Sequence, residues 1–183
     1  GDGDGNFQMV RRQDGGGFET KQIANEAGNR HVTFVDRDAG FQETGRHEDP
    51  SDTFDPRTRP WYQGALTGGD VFWTGIYVFF SDHKPGITVS TPVQDSSGNK
   101  QVLGVDITLA ELSKFLGSLE IGKAGRAYII DGDGHLIAAP DKAALDVPVG
   151  PGETVPKRID QLGDKTMIAA FDPLLRKAER ADV

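Results

Sequence analysis

The sequence predicts an α+β fold: an antiparallel sheet with flanking helices, followed by a second, smaller lobe. Three observations predict it. The β-rich runs WTGIYVFF (73–80), GITVSTPV (86–93) and QVLGVDI (101–107) are joined only by the turn-forming stretches SDHKPG (81–86) and QDSSGNK (94–100), and connections that short join antiparallel neighbours. Thr108 and Glu111 then stand at capping-box spacing before the apolar series Leu109, Leu112, Phe115, Leu116 and Leu119, which marks a helix start. Finally, 183 residues suffice for one domain or two small lobes with a real core.

In chain order, GDGDGN (1–6) reads as a flexible turn. DGDGN has the look of a calcium loop but lacks the glutamate at the twelfth position and the flanking helices that an EF-hand needs. Phe7–Arg11 reads as a strand before the Gly-rich turn at 14–17, and HVTFVD (31–36) as a strand entering a hairpin whose partner spans 41–46. His31 and His47 have no partner at metal-ligand spacing and read as surface or strand-edge residues. The run EDPSDTFDPRTRP (48–60) is loop, because its prolines remove donors and bias their neighbours away from helix. Pro60 suits a first helical position, so 61–66 is a short helix stopped by Gly68 and Gly69.

The stretch 71–80 carries aromatic or apolar residues on both alternating faces, Trp73, Tyr77 and Phe79 on one and Phe72, Ile76, Val78 and Phe80 on the other. That pattern predicts a central strand. Beyond the helix at 108, residues 121–140 read as a hairpin with strands at 127–130 and 135–139, and its DGDG (131–134) as a tight turn in preference to a metal site. After Pro140 come the Pro- and Gly-rich PVGPGETVP (148–156), then Met167, Ile168, Phe171, Leu174 and Leu175 at helical spacing interrupted by Pro173, and a charged end, RKAERADV.

Composition narrows the function. With 20 Lys and Arg against 28 Asp and Glu, a net charge of −8, there is no basic stripe to displace counterions from nucleic acid. Without cysteine there is no thiolate chemistry, disulfide or Cys-based zinc site. The longest apolar run, Ile76–Phe80, is far short of the roughly 20 residues a membrane-spanning helix needs. No signal peptide or lipidation motif is visible, so the chain reads as an excised soluble piece or a soluble protein. GxSxG, HExxH and P-loop patterns are absent, and Ser90 has no evident His and Asp partners. Asp55 and Asp106 remain a carboxylate pair that a glycosidase could use.

The strongest local chemistry lies between Asp55 and Asp106. DPRTRPWY (55–62) delivers an arginine and an aromatic pair at a helix start, and the third strand-like run ends in Asp106. An arginine fork matches a carboxylate bidentately. Taken together and in order, DPRTRPWY, WTGIY, STPV and GVDITLAEL resemble the ligand-binding module of a double Cache domain, the PAS-like extracytoplasmic sensor of bacterial transmembrane signalling receptors, over about 6–140. The resemblance implies that Arg59 and Trp61 take a ligand's carboxylate end, that Tyr62 and Tyr77 line the wall, and that Asp106 meets an amino group, with Phe79 also among the ligand-binding positions. Phe54 stands where amino-acid-binding members usually have tyrosine, and Phe79 where they usually have a second aspartate. The implied ligand is thus an amino acid, an amine or an organic acid, with no cofactor, metal or nucleic acid.

The resemblance further implies a membrane-distal module at 1–120 and part of a membrane-proximal one at 121–183, lacking the family's long N-terminal helix and later strands. The whole would be a membrane-anchored, periplasm-facing receptor, with a homodimer left open and an output domain such as a histidine kinase, chemotaxis transducer or cyclase. Simpler roles exist for each residue. Arg59 could pair with Asp52 or Asp55, Trp61 and Tyr77 could be core, and Asp106 could cap a helix or hold a turn. An enzyme acting on saccharides and an extracellular protein-interaction domain are the alternative classes.

Overall fold

The computed structural model describes residues 1–26, 28–123, 125–140, 146–150, 153–163 and 165–178. Contacts divide the chain into two compact units, 1–74 with 88–106 and 75–87 with 107–183.

The first unit opens with an antiparallel meander of four strands, β1 (Phe7–Arg12), β2 (Phe18–Glu26), β3 (Asn29–Arg37) and β4 (Glu43–Glu48), in that order across the sheet. The turns have local causes. Gln13 N–H donates to the Gly17 carbonyl at 2.9 Å around Gly16 at φ 90°, and Asp38 Oδ1 accepts the N–H groups of Gly40 and Gln42 at 2.9 Å each. β2 is absent from the sequence reading, which left 18–26 unassigned. Its register explains its place: Ile23 lies opposite Phe7 on one side and Val32 on the other, and these pack with Phe34 and Phe54 as one cluster.

The N-terminal run is a turn, as expected, but it is tied down. Asp2 Oδ1 accepts the N–H groups of Asp4 and Asn6 at 3.0 and 2.9 Å. Gly1 exchanges bonds with Val102, donating its ammonium at 2.9 Å and accepting the Val102 N–H at 2.8 Å.

A 3₁₀ turn at Pro56–Thr58 leads into α1 (Pro60–Gly68), with proline at the first position and Gly69 closing it at φ 71°. Trp61, Tyr62 and Ala65 are buried. The second sheet contains β5 (Phe72–Trp73), β6 (Tyr77–Val78), β7 (Pro85–Gln94) and β8 (Lys100–Thr108). β7 is the strand with neighbours on both sides. In the first unit it pairs with β5, Trp73 opposite Val89, and with β8; in the second, Tyr77 of β6 lies opposite Gly86.

The sequence placed 71–80 at the centre, and this is corrected: the stretch is split into two short segments at the edge of β7. Trp73 and Val78 are exposed. Alternation shows which residues share a face but does not say whether that face is covered, and here each face has an exposed member, Trp73 on one and Val78 on the other.

In the second unit α2 (Leu109–Ser118) has the expected capping box, with Thr108 Oγ1 accepting the Glu111 N–H at 3.1 Å and the Glu111 carboxylate accepting the Thr108 N–H at 3.0 Å. The buried stripe differs from the expected one. Leu109, Ser113 and Leu116 are buried, whereas Phe115 and Leu119 are exposed. Ser113 tolerates burial because its hydroxyl donates to the Leu109 carbonyl at 2.8 Å.

The Thr108 hydrogen bonds, side chain first and then backbone, hold the Glu111 carboxyl below its ordinary range. Stability from that cap is complete above the ordinary glutamate value and is lost as pH falls through the lower folded one. Thr108→Ala should therefore cost about 0.5–2 kcal/mol at neutral pH in urea titrations, and the gap to the parent should narrow at acid pH.

The expected hairpin is present as β9 (Ile129–Ile130) and β10 (Leu136–Ala138). A second hairpin, β11 (Asp146–Gly150) with β12 (Glu153–Pro156), forms within the run that the sequence reading left as Pro- and Gly-rich. The helix expected near the end is α3 (Lys165–Ala178), with Pro173 inside it. Met167 packs with Leu136, Ala139 and Ile159 as a core bordered by Tyr128, Ile130 and Phe171. Residues 151–152 and the charged end from 179 lie outside the described residues.

Candidate functional site

The loop before α1 is built by its own aspartates. Asp52 Oδ1 accepts the Phe54 N–H at 2.9 Å, while Asp52 Oδ2 lies 2.5 Å from Lys21 Nζ. Arg30 donates to the backbone carbonyls of Asp52 and Phe54 at 2.6 and 2.7 Å. Phe54 is thereby fixed in the core of the meander, its ring 4.7 Å from that of Phe7. Asp55 caps the 3₁₀ turn by accepting the Arg57 N–H at 2.9 Å and is clasped by the Arg57 guanidinium at 2.8–3.2 Å. The Arg57 hydrogen bond holds the Asp55 carboxyl below the ordinary aspartate range.

Arg59 follows as the residue preceding α1, in extended conformation, with its guanidinium carbon 5.9 Å from the Phe54 ring centroid. Trp61 is buried, its ring edge-on to Tyr62 at 5.7 Å, and burial pushes the Tyr62 phenol above its ordinary value. The Ser90 hydroxyl donates to the Trp61 carbonyl at 2.8 Å, tying α1 to β7.

Across the sheet the Thr88 hydroxyl donates to Asp106 Oδ1 at 2.6 Å. Gly104 makes room for this packing, since a Cβ there would lie 3.3 Å from Thr88 Cγ2 and 3.4 Å from the Trp61 ring. Asp106, two residues on along β8, shares that face. The carboxylate thus accepts the Thr88 hydroxyl while its residue stays exposed.

Arg59, Trp61, Tyr62 and Asp106 thus belong to one compact unit, with Gly104 and Thr88 between the Trp61 ring and Asp106. Tyr77 and Phe79 belong to the other. There the two rings meet edge-on at 5.2 Å, and buried Phe79 covers Gly86 so closely that a Cβ at 86 would stand 2.2 Å from its ring.

A cavity of about 360 Å³ opens elsewhere in the first unit, lined among others by Asn25, Arg30, Asp52, Phe54 and Arg57 but by none of the six expected residues. Its charged walls are engaged with each other, Arg57 with Asp55 and Arg30 with Asp52.

Among the described residues, Asp131, Asp133 and His135 bring their ligand atoms within 4.8 Å of one another, a set that could hold a cation. The same groups close the expected turn: Asp131 Oδ1 accepts the N–H groups of Asp133 and His135 at 3.0 and 2.8 Å.

The Cache domain profile matches residues 17–175. The chain belongs to the Cache domain family. Its relatives include the methyl-accepting chemotaxis protein PctB of Pseudomonas aeruginosa, 34% identical over 93 residues, which are 51% of this chain and 15% of that protein. The methyl-accepting chemotaxis protein McpB of Bacillus subtilis is 40% identical over 77 residues, 42% of this Cache chain and 11% of that protein. Among solved structures, the ligand-binding domain of PctB in complex with L-Gln aligns at 26% identity and a TM-score of 0.44, covering 67% of this chain and 48% of that one. The chain thus spans a small part of the length of the curated relatives it matches.

The sequence motif singles out Arg59, Trp61 and Asp106, but it does not reveal the Thr88 bond to Asp106, the Ser90 bond to Trp61 or the pairing of Lys21 and Arg30 with Asp52. Lys21 stands in FETKQIANE, where nothing local distinguishes a buried lysine from an exposed one.

Proposed function

We propose that this Cache domain is the extracytoplasmic ligand-sensing part of a bacterial signal-transduction receptor. It binds a small molecule bearing a carboxylate, an amine or both. Arg59 takes the carboxylate, Trp61 and Tyr62 form the adjoining wall, and Asp106 takes the ammonium. Residues 1–120 act as the membrane-distal binding module and 121–183 as part of the proximal one.

The observation that carries this reading is Asp106: a carboxylate in an exposed residue, oriented by Thr88 and sharing the sheet face that packs near Trp61. An anion so placed suits a cationic group. The chemotaxis proteins among its relatives support a sensor that binds and reports without catalysis. In the glycosidase alternative Asp55, held low by Arg57, could serve as the ionised carboxylate but not as the acid. Among the described residues no helix is long and apolar enough to cross a membrane.

A thermal-shift screen over amino acids, amines and organic acids identifies the ligand class. Arg59→Ala should then weaken carboxylate ligands by about 2–4 kcal/mol, the range for truncating one partner of a desolvated charge pair. Asp106→Asn should weaken ligands with an ammonium group far more than ligands without one. Calorimetry showing unchanged affinity in both variants, each still folded, overturns the assignment.

A further inference from the structure

The proposed contacts leave unused the buried cluster beneath the loop that carries Phe54. The Lys21 side chain is 1% exposed and its partner Asp52 8%. Asp52 is bound at both oxygens, one by Lys21 and the other by the Phe54 N–H. The Lys21 ammonium lies 4.7 Å from the Phe54 ring centroid and 5.4 Å from that of Phe34. The Arg59 guanidinium lies near the same Phe54 ring, at 5.9 Å.

Both cations are within the distance at which an aromatic ring attracts positive charge. Two cations beside one ring repel each other, and Asp52 compensates that repulsion at the Lys21 end. A buried ion pair adds little net stability over apolar residues of the same volume, and what it contributes best is a defined geometry.

We infer that Lys21 is a positioning residue for Arg59: acting through Asp52 and the Phe54 ring, it sets where the guanidinium of the proposed carboxylate site stands. Arg30 assists from the backbone side by fixing the carbonyls of Asp52 and Phe54. The functional value of this device rests on the reading of Arg59 as a ligand group, but the geometry it predicts is measurable without any ligand.

The test uses the ligand-free, nitrogen-15-labelled chain. The double variant Lys21→Met with Asp52→Asn removes both charges and keeps the volume, and Arg30→Gln removes the second anchor from a partly exposed site. In each, the heteronuclear NOE of the Arg59 Nε–Hε signal, assigned by its loss in Arg59→Lys, should fall from the rigid towards the mobile range. The Trp61 indole N–H should change less than the Arg59 signal, because its ring also packs against Tyr62 and beside Gly104.

An Arg59 signal as rigid as the parent's in Arg30→Gln, or in a folded double variant, overturns the inference, even where the melting temperature drops. A purely structural cluster would lower melting without singling out Arg59. Failure of the binding role appears elsewhere, as unchanged ligand affinity in Arg59→Ala, so the two ideas fall separately.

Discussion

Lys21→Ala is expected to destabilise the first unit by about 3–5 kcal/mol, the range for removing one partner of a buried ion pair. The lysine is nearly inaccessible, and Asp52 would remain buried with a charge that Arg30 reaches only at 3.5 Å. Burial already pulls the Lys21 ammonium below the ordinary lysine value, with the Asp52 hydrogen bond acting in the opposite direction. The energy at stake is therefore less the attraction within the pair than the desolvation of the group left behind. The paired replacement Lys21→Met with Asp52→Asn should recover most of the loss. Urea titrations of the three proteins decide it. A single-variant loss under about 1 kcal/mol, the net worth of an ordinary hydrogen bond, would mean that water reaches Asp52 and that the pair is not buried in solution.

What was legible in the sequence was what local chemistry dictates. Pro60, Gly69, Thr108 and Glu111 start or stop helices through bonds within one turn of themselves, and α1 and α2 begin where those residues predict. β1, β3 and β4 follow from alternation between Gly- and Asp-rich turns. β2 escaped because its burial is imposed from both sides by strands distant in sequence. Its lysine and threonine are buried through register, Lys21 opposite Phe34 and Thr20 opposite Val35. The edge position of 71–80 escaped for a related reason, since aromatic alternation carries no information on what lies above each face.

The candidate site divides along the same line. Arg59, Trp61 and Tyr62 sit on one short segment, and their motif could be read directly. Asp106 was read from its place at the end of the third strand, and the Thr88 hydroxyl that orients it belongs to the neighbouring strand. Partners such as Thr88, Ser90 and Lys21 are joined to the motif by strand pairing and loop packing 18 to 31 residues away in sequence. Periodicity within one segment could not reveal them.

Phe79→Ala separates two roles that the sequence left entangled, and the expected result is a loss of about 3–5 kcal/mol in stability, as for a buried Phe truncated to Ala. The residue is 8% exposed, its ring meets Tyr77 edge-on, and it covers a glycine that tolerates nothing larger. Its backbone is fixed as well, since its N–H donates to the Lys84 carbonyl at 2.9 Å and its carbonyl accepts the His83 N–H at 3.1 Å. Gly86→Ala tests the same contact from the other side. The added methyl would stand 2.2 Å from the ring and 2.7 Å from the Ile107 carbonyl, an overpacking worth about 1–3 kcal/mol. Because the two changes share one contact, their effects should not add, and the double variant should be more stable than the sum predicts. Denaturant titration of the four proteins reads this cycle. A Phe79→Ala variant as stable as the parent would overturn this packing role, and Gly86 would then owe its small size to the Ile107 carbonyl alone.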